Sequence, residues 1–328
     1  MIDQSSASVD AWSRYWHSAQ LAACMGGEDG NYAGVVRAAW EQFFRQADNG
    51  SIIVDLATGN GAVALIAAAV SEQDGLELEV HGVDRADLAP EIAAKEQLDL
   101  LGKIHFHPKT SIESMPFSNR SVAMISSQYG IEYSNALAGL KECARILKPN
   151  GRLMVITHSK DSSVMKQTNL DLQDSHLLSR KLDIVSKYKR LISVEMDSDA
   201  KASQQERDRA KSEFQQAAAE IMHRIRARDE KTISFLNGVM HRFGEIYQQR
   251  HQGDVAAAHG LADDITLEHD AHRRRLQDLK QAALGSDELA QWKSRTNELG
   301  LTTVADEPVF NEQGGKLGHR LEFVVDER

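Results

Sequence analysis

Hydrophobic and polar positions follow three different rhythms along this chain. Up to about residue 50 the apolar positions recur at helical spacing. Val35, Val36, Ala39, Trp40 and Phe43 mark one face of a helix expected over 32–46, with Asn31 as its cap. An earlier aromatic-rich helix is expected over 11–25, capped by Asp10, and the loop GGEDGN at 26–31 separates the two. From 51 to 158 the rhythm changes to short apolar runs alternating with helical segments. The runs at 52–56, 76–83, 103–107, 121–127 and 152–157 read as strands, and 62–70, 90–101 and 136–147 as the helices between them. Strands joined by crossover helices make a parallel, doubly wound α/β sheet.

The third rhythm begins near 161. Residues 161–284 hold no strand pattern and no proline. Their apolar positions keep helical spacing: Leu178, Leu182, Val185, Tyr188 and Ile192, then Phe214 to Ile225 and Ile233 to Tyr247, then Leu276, Leu279 and Ala282. Breaks are expected at 197–203 and 251–254. This predicts a helical hairpin or a three-helix insertion. The sheet pattern then returns: a helix capped by Ser286 and closed by Gly300, and strands over 302–310 and 319–325 around the turn NEQGGKLG. The reading is thus an N-terminal helical cap (1–50), a sheet domain (51–160 with 286–328) and an all-α insertion (161–285).

Composition narrows the field. With 328 residues, 41% hydrophobic and 26% charged, the chain is an ordinary globular one. Its longest apolar runs fall short of a membrane span, and its first residues show no export signal, so a cytoplasmic protein is expected. Cys24 and Cys143 have no metal or redox spacing and read as buried reduced thiols. The net charge of −10 disfavours a nucleic-acid partner. Residues 161–296 carry as many basic as acidic side chains, so that charge falls on the sheet domain and its N-terminal helices. His-Arg-Arg-Arg at 272–275 reads as a surface cluster. His105 and His107 share a strand face, but no third ligand accompanies them and no metal is expected.

The candidate chemistry sits in SIIVDLATGNGAVA, residues 51–64. An apolar strand carries Asp55 near its end, turns through Gly59 and Gly61, and runs into an alanine-rich helix. A turn of this kind brings backbone close to a ligand at the carboxyl edge of a parallel sheet. Gly59 to Ala64 fits a dinucleotide fingerprint, and Asp84 at the tip of the next strand suits a ribose diol. Against a dinucleotide stand the carboxylate of Asp55, the absence of a second mononucleotide half, and the closing antiparallel hairpin.

Taken together these segments resemble the class I S-adenosylmethionine-dependent methyltransferases, especially the branch that includes ubiquinone/menaquinone-type enzymes. Asp55-Leu-Ala-Thr-Gly59-Asn-Gly61 is similar to the family's acidic, glycine-rich loop, with Ala57 in place of its first glycine. LKECARILKPNGRLMVITH is similar to the family's helix–turn–strand. The resemblance implies a Rossmann-like seven-stranded sheet with a C-terminal antiparallel hairpin, and S-adenosyl-L-methionine as cofactor, leaving as S-adenosyl-L-homocysteine. It implies that Asp55, Ala57, Gly59 and Gly61 line the methionine end and Asp84 the ribose. Ser111 and Ile112 would flank the adenine, with Ser111 replacing the usual Asp, and Gln128 and Tyr129 would stand beside the sulfonium.

Methyl transfer from a sulfonium is an in-line displacement, so the protein aligns a nucleophile and removes a proton where needed. Candidates are His158, whose ordinary pKa suits a base, and Glu132 and Tyr133. Tyr15, Trp16 and Tyr32 are candidates for a cap over the ligand. A small-molecule acceptor is expected, with a lid and a homodimerisation arm formed by the insertion. A protein or RNA acceptor docked on the insertion, or a non-methyl-transferring S-adenosylmethionine-binding protein, are the rival readings.

Overall fold

The computed structural model describes residues 4–24, 26–27, 29–196, 201–227, 234–249 and 255–326. They form two compact units: a sheet unit, Met1–Lys166 with Asp278–Arg328, and a helical unit, Gln167–Gln277.

In the sheet unit, α1 (Gln4–Trp16) and α2 (Gly34–Phe44) precede β1 (Ile52–Leu56), α3 (Ala62–Asp74) and β2 (Glu79–Val83). Two short helices, α4 (Pro90–Ala93) and α5 (Leu98–Leu101), lead to β3 (Ile104–His107), β4 (Val122–Gln128), α6 (Ala136–Ile146) and β5 (Leu147–Thr157). The seven strands lie in the order β3-β2-β1-β4-β5, followed by β7 (Lys316–Val325) and β6 (Leu301–Phe310). The first five are parallel, and β7 runs antiparallel to both β5 and β6. This is the doubly wound sheet with a closing hairpin that the periodicity predicts.

Each face of the sheet has its own core. Trp40, Phe43 and Phe44 of α2 and the alanine-rich face of α3 pack with Ile53, Met124 and Ile156 on one side. Leu140, Cys143 and Ile146 of α6 pack with Val54, Ile125, Val155 and Phe323 on the other. Buried almost all round, α3 contains small residues that let it lie close to both α2 and the strands. It stops at Gly75, which turns left-handed. Helix α12 (Ser286–Glu298) returns the chain to the hairpin, and Trp292 anchors it in the second core.

Several expected boundaries move, each for a non-local reason. The first helix ends at Trp16 rather than Met25, which lies outside the described residues, and Asp10 is inside it rather than capping it. The amide of Asn60 accounts for this end, donating to the carbonyls of Trp16 and Gln20 (2.8 and 2.7 Å). Asn31 does not cap α2. It ties the N-terminal loop to the start of α3 by donating to the Ala62 carbonyl (3.0 Å), and α2 begins three residues later. Gly285, not Ser286, is the cap position of α12, and the Glu288 carboxylate accepts its N–H (2.9 Å). The helix expected over 90–101 is broken into α4, a 3₁₀ turn and α5.

The helical unit lies inside the expected 161–285 segment and contains five helices among its described residues. They are α7 (Ser163–His176, whose first turn belongs to the sheet unit), α8 (Ile184–Glu195), α9 (Gln204–Arg226), α10 (Ser234–Gln249) and α11 (Val255–Ala282, which re-enters the sheet unit). A π-helical turn, Leu177–Lys181, follows α7. The periodic positions Leu178, Tyr188, Ile192, Ile221, Ile225 and Phe243 meet in one apolar core, with Phe214 packed against it. Tyr188 donates to the Phe243 carbonyl at 3.2 Å, and the buried Asp174 accepts from Arg224. Ser203 and Glu206 close a capping box at the start of α9. Ile233 and the breaks at 197–200 and 251–254 lie outside the described residues. No described helix is long and apolar enough to cross a membrane, and no described cluster of His, Cys, Asp or Glu is arranged to hold a metal.

Candidate active site at the carboxyl edge of the sheet

The glycine-rich turn is braced from below. Asp55 is buried at the end of β1. Its carboxylate accepts from the Thr58 hydroxyl at 2.6 Å and from the Ser126 hydroxyl at 2.7 Å, locking the turn to β4. The Thr58 N–H donates to the Val83 carbonyl (3.0 Å) and locks it to β2. Burial pushes the Asp55 carboxyl up to about 7 against these two hydroxyl bonds. The turn is held in the left-handed region at Ala57, Gly59 and Gly61, with φ of 50°, 53° and 90°. At Ala57 this is a strained choice for a residue with a Cβ.

Gly59 and Gly61 are required by close approach as well as by φ. A Cβ at Gly59 would stand 2.4 Å from the ring of Trp16, and one at Gly61 would stand 2.8 Å from Phe106. Asp84, at the tip of β2, reaches across to the turn. One oxygen accepts from the Gly59 N–H (2.8 Å) and the other from the Ala86 N–H (2.7 Å). Its pKa is raised by burial, with the backbone N–H groups opposing.

Beyond β4 and β5 lies a second, more polar group. Gln128 accepts from the indole of Trp40 at 2.7 Å, and its amide nitrogen has no partner. Tyr129 follows with a φ of 53° and lays its ring parallel on that of His158, centroids 4.2 Å apart. The Glu132 carboxylate accepts from the His158 backbone N–H at 2.8 Å, leaving its second oxygen without a partner. The ring of Tyr133 stands edge-on to His158 (5.9 Å) and to Trp12 (5.6 Å), and its buried hydroxyl has no partner. The same is true of Nδ1 of His158. Desolvation pushes Glu132 up to about 7 and His158 down to about 3.

The structure therefore brings Asp55, Ala57, Gly59, Gly61 and Asp84 together on one side, and Gln128, Tyr129, Glu132, Tyr133 and His158 on the other. Trp16 lies on the first group through Gly59. Tyr32 is buried edge-on to Tyr129 (6.5 Å), whereas Tyr15 donates to the Ala22 carbonyl (3.0 Å) and pins the loop after α1. Ser111 bonds to Glu113, and Ile112 is buried with Val83, Ile131 and Leu140 in the core beneath the edge. Thr58, Asn60, Trp40 and Ser126 are not among the sequence candidates. Ser126 and Ser127 leave a readable signal: two hydroxyls that, with Gln128, end a fully buried strand.

A family model described as "Methyltransferase domain" matches residues 53–151, the stretch that supplies both halves of this site except His158 and the cap. The chain carries a class I S-adenosylmethionine-dependent methyltransferase domain. Among curated relatives, a demethylmenaquinone methyltransferase of Thermotoga maritima is 32% identical over 108 residues, covering 32% of this chain and 42% of its own. The ubiquinone/menaquinone biosynthesis C-methyltransferase UbiE of Blochmanniella floridana is 24% identical over 151 residues, covering 44% and 58%. The chain thus spans about half the length of the curated relatives it matches. A solved structure of geranyl diphosphate C-methyltransferase from Streptomyces coelicolor A3(2) superposes with a TM-score of 0.35 at 17% identity, covering 46% of this chain and 65% of that one. So slight a likeness assigns nothing to this chain. The matched methyltransferase segment, 53–151, ends before the helical unit, Gln167–Gln277, begins.

Proposed function

We propose that the protein transfers the methyl group of S-adenosyl-L-methionine to a nucleophilic atom of a small molecule, releasing S-adenosyl-L-homocysteine. The observation that carries this reading is the pairing of Asp84 with the Gly59 N–H at the mouth of a braced, left-handed glycine turn. The residues fit the cofactor. An ionised carboxylate offers about four acceptor positions, so Asp84 can take ribose hydroxyls beside the two N–H groups it already holds. The unpartnered polar atoms of Gln128, Glu132, Tyr133 and His158 supply the hydrogen-bonding groups that a ligand at this edge requires.

In this reading Ala57, Gly59 and Gly61 pass the methionine end with bare backbone, braced by Asp55 through Thr58. Ser111 and Ile112 flank the base, and Gln128 and Tyr129 stand beside the sulfonium. When bound, the cofactor supplies an electrophilic methyl group; the chain aligns the acceptor, excludes water and takes up a proton. Trp16, Tyr15 and Tyr32 form the cap, and Trp16 has to leave Gly59 for a ligand to reach the backbone there. The helical insertion acts as a lid and homodimerisation arm, a role supported by its point of insertion directly after β5.

Calorimetry with S-adenosyl-L-methionine, S-adenosyl-L-homocysteine and NAD tests the cofactor, and binding of NAD alone would overturn it. Transfer of a labelled methyl group into the small-molecule, protein and RNA fractions of an extract tests the acceptor class, and label confined to protein or RNA would reverse the choice. A deletion of 167–277 that remains a folded monomer with unchanged turnover would remove the insertion from the mechanism.

A further inference from the structure

We propose that Glu132 is the group that takes the proton of the methyl acceptor, held in direction by the His158 backbone N–H, and that the His158 imidazole is not the base. The inference deepens the methyltransferase reading and rests on it.

The geometry comes first. Glu132 lies in the single 3₁₀ turn, Ile131–Tyr133, that follows β4, and is 7% exposed. One carboxylate oxygen is fixed by the His158 N–H at 2.8 Å, so the side chain has a defined direction. The other oxygen is buried and unpartnered, although a buried carboxylate oxygen normally finds a donor. In the same two strand ends the Tyr133 hydroxyl, the Gln128 amide nitrogen and Nδ1 of His158 are also buried without partners. Four such atoms, donors and acceptors together, belong to the ends of two neighbouring strands, β4 and β5. A ligand that donates to Glu132 and accepts from Gln128 or Tyr133 supplies such partners.

Among the groups around Glu132, it is the one suited to the task. The side chains electrostatically coupled to it are Cys24, Tyr129 and Tyr133, with His158 in direct contact through its backbone. Burial pushes the Cys24 thiol up to about 12 and raises both tyrosines, so all three stay neutral at pH 7. The His158 imidazole, stacked on Tyr129 and 1% exposed, is pushed down to about 3 and is too weak a base. Glu132 is raised to about 7 by desolvation, with only backbone N–H groups opposing, and so changes charge near neutrality. An unpartnered carboxylate oxygen suits an acceptor hydroxyl, which donates to it before giving up its proton.

The step balances as follows. The acceptor O–H bond breaks and its proton goes to the free Glu132 oxygen. The electron pair left on oxygen forms the new bond to the methyl carbon, and the sulfur keeps the pair of the broken carbon–sulfur bond.

Three measurements test the assignment. Infrared titration should show, in the wild type minus Glu132→Gln difference, a protonated carboxyl band that disappears near pH 7; Asp55, which titrates in the same window, is common to both proteins and cancels. Label transfer from S-adenosyl-L-methionine into extract small molecules should rise with pH through about 7. It should fall at least 100-fold in Glu132→Gln, with S-adenosyl-L-homocysteine affinity within about twofold of wild type. His158→Phe keeps the backbone N–H and should keep the pH midpoint. A carboxyl band lost below pH 5, Glu132→Gln activity within about threefold of wild type, or loss of the pH dependence in His158→Phe would each overturn the assignment. Failure of the wild type to bind S-adenosyl-L-homocysteine would instead overturn the cofactor reading, while the infrared titration still decides the state of Glu132.

Discussion

Replacing Glu132 by Gln should make the protein more stable at alkaline pH while disabling it. The side chain is buried, its desolvation is opposed by backbone N–H groups, and its pKa is raised from an ordinary 4.5 to about 7. A carboxyl raised in the folded state favours folding while it is protonated. That contribution is complete below about 4.5 and is lost as pH climbs through 7. At about 1.36 kcal/mol per unit the loss is about 3 kcal/mol, a large share of the stability of a typical domain. Gln keeps the carbonyl oxygen that accepts from the His158 N–H and cannot ionise, so its stability should not fall in this way. The assay is urea unfolding of both proteins at pH 5, 6.5 and 8, followed by tryptophan fluorescence. Trp12, Trp16, Trp40 and Trp292 all belong to the sheet unit, so the signal reports that unit. Asp55 titrates in the same window but is common to both proteins, and it cancels in the difference. The two proteins should be nearly equal in stability at acid pH, and the Glu132→Gln variant should lead by about 3 kcal/mol at pH 8. A difference that stays constant from pH 5 to 8 would refute a raised pKa at Glu132.

Gly59→Ala should destabilise the sheet unit by about 3 kcal/mol, combining left-handed strain with a clash against Trp16. Adding Trp16→Ala should restore only the clash component in thermal unfolding. Trp16→Ala alone should speed S-adenosyl-L-homocysteine association in stopped flow, because the ring covers Gly59; an unchanged rate argues against a cap there. Asp84→Asn should weaken S-adenosyl-L-homocysteine binding at least about tenfold in calorimetry, since it loses charge toward the Gly59 N–H and toward ribose hydroxyls. Ser203→Ala should cost about 1 kcal/mol, read as faster hydrogen exchange at the start of α9 with no change in the tryptophan transition.

The sequence alone determined the architecture of the protein. Strand runs, crossover lengths and the late hairpin are local patterns, and they led to a sheet of five parallel strands closed by an antiparallel pair. The acidic residues at the tips of β1 and β2 and the glycines between them were legible for the same reason: a turn that must go left-handed names its residues. Tertiary structure decided what those residues touch. Asp55 holds Thr58 and Ser126, a partner 71 positions away. Asn60 ends α1 from 44 positions away, which no capping rule read along the chain anticipates. The choice between His158 and Glu132 lies furthest from the sequence. An unperturbed histidine is the natural base near pH 7, and a glutamate is not. Burial reverses that order by penalising the charged form of each, lowering the imidazole and raising the carboxyl. Desolvation depends on everything packed around a group, and only the folded chain sets it.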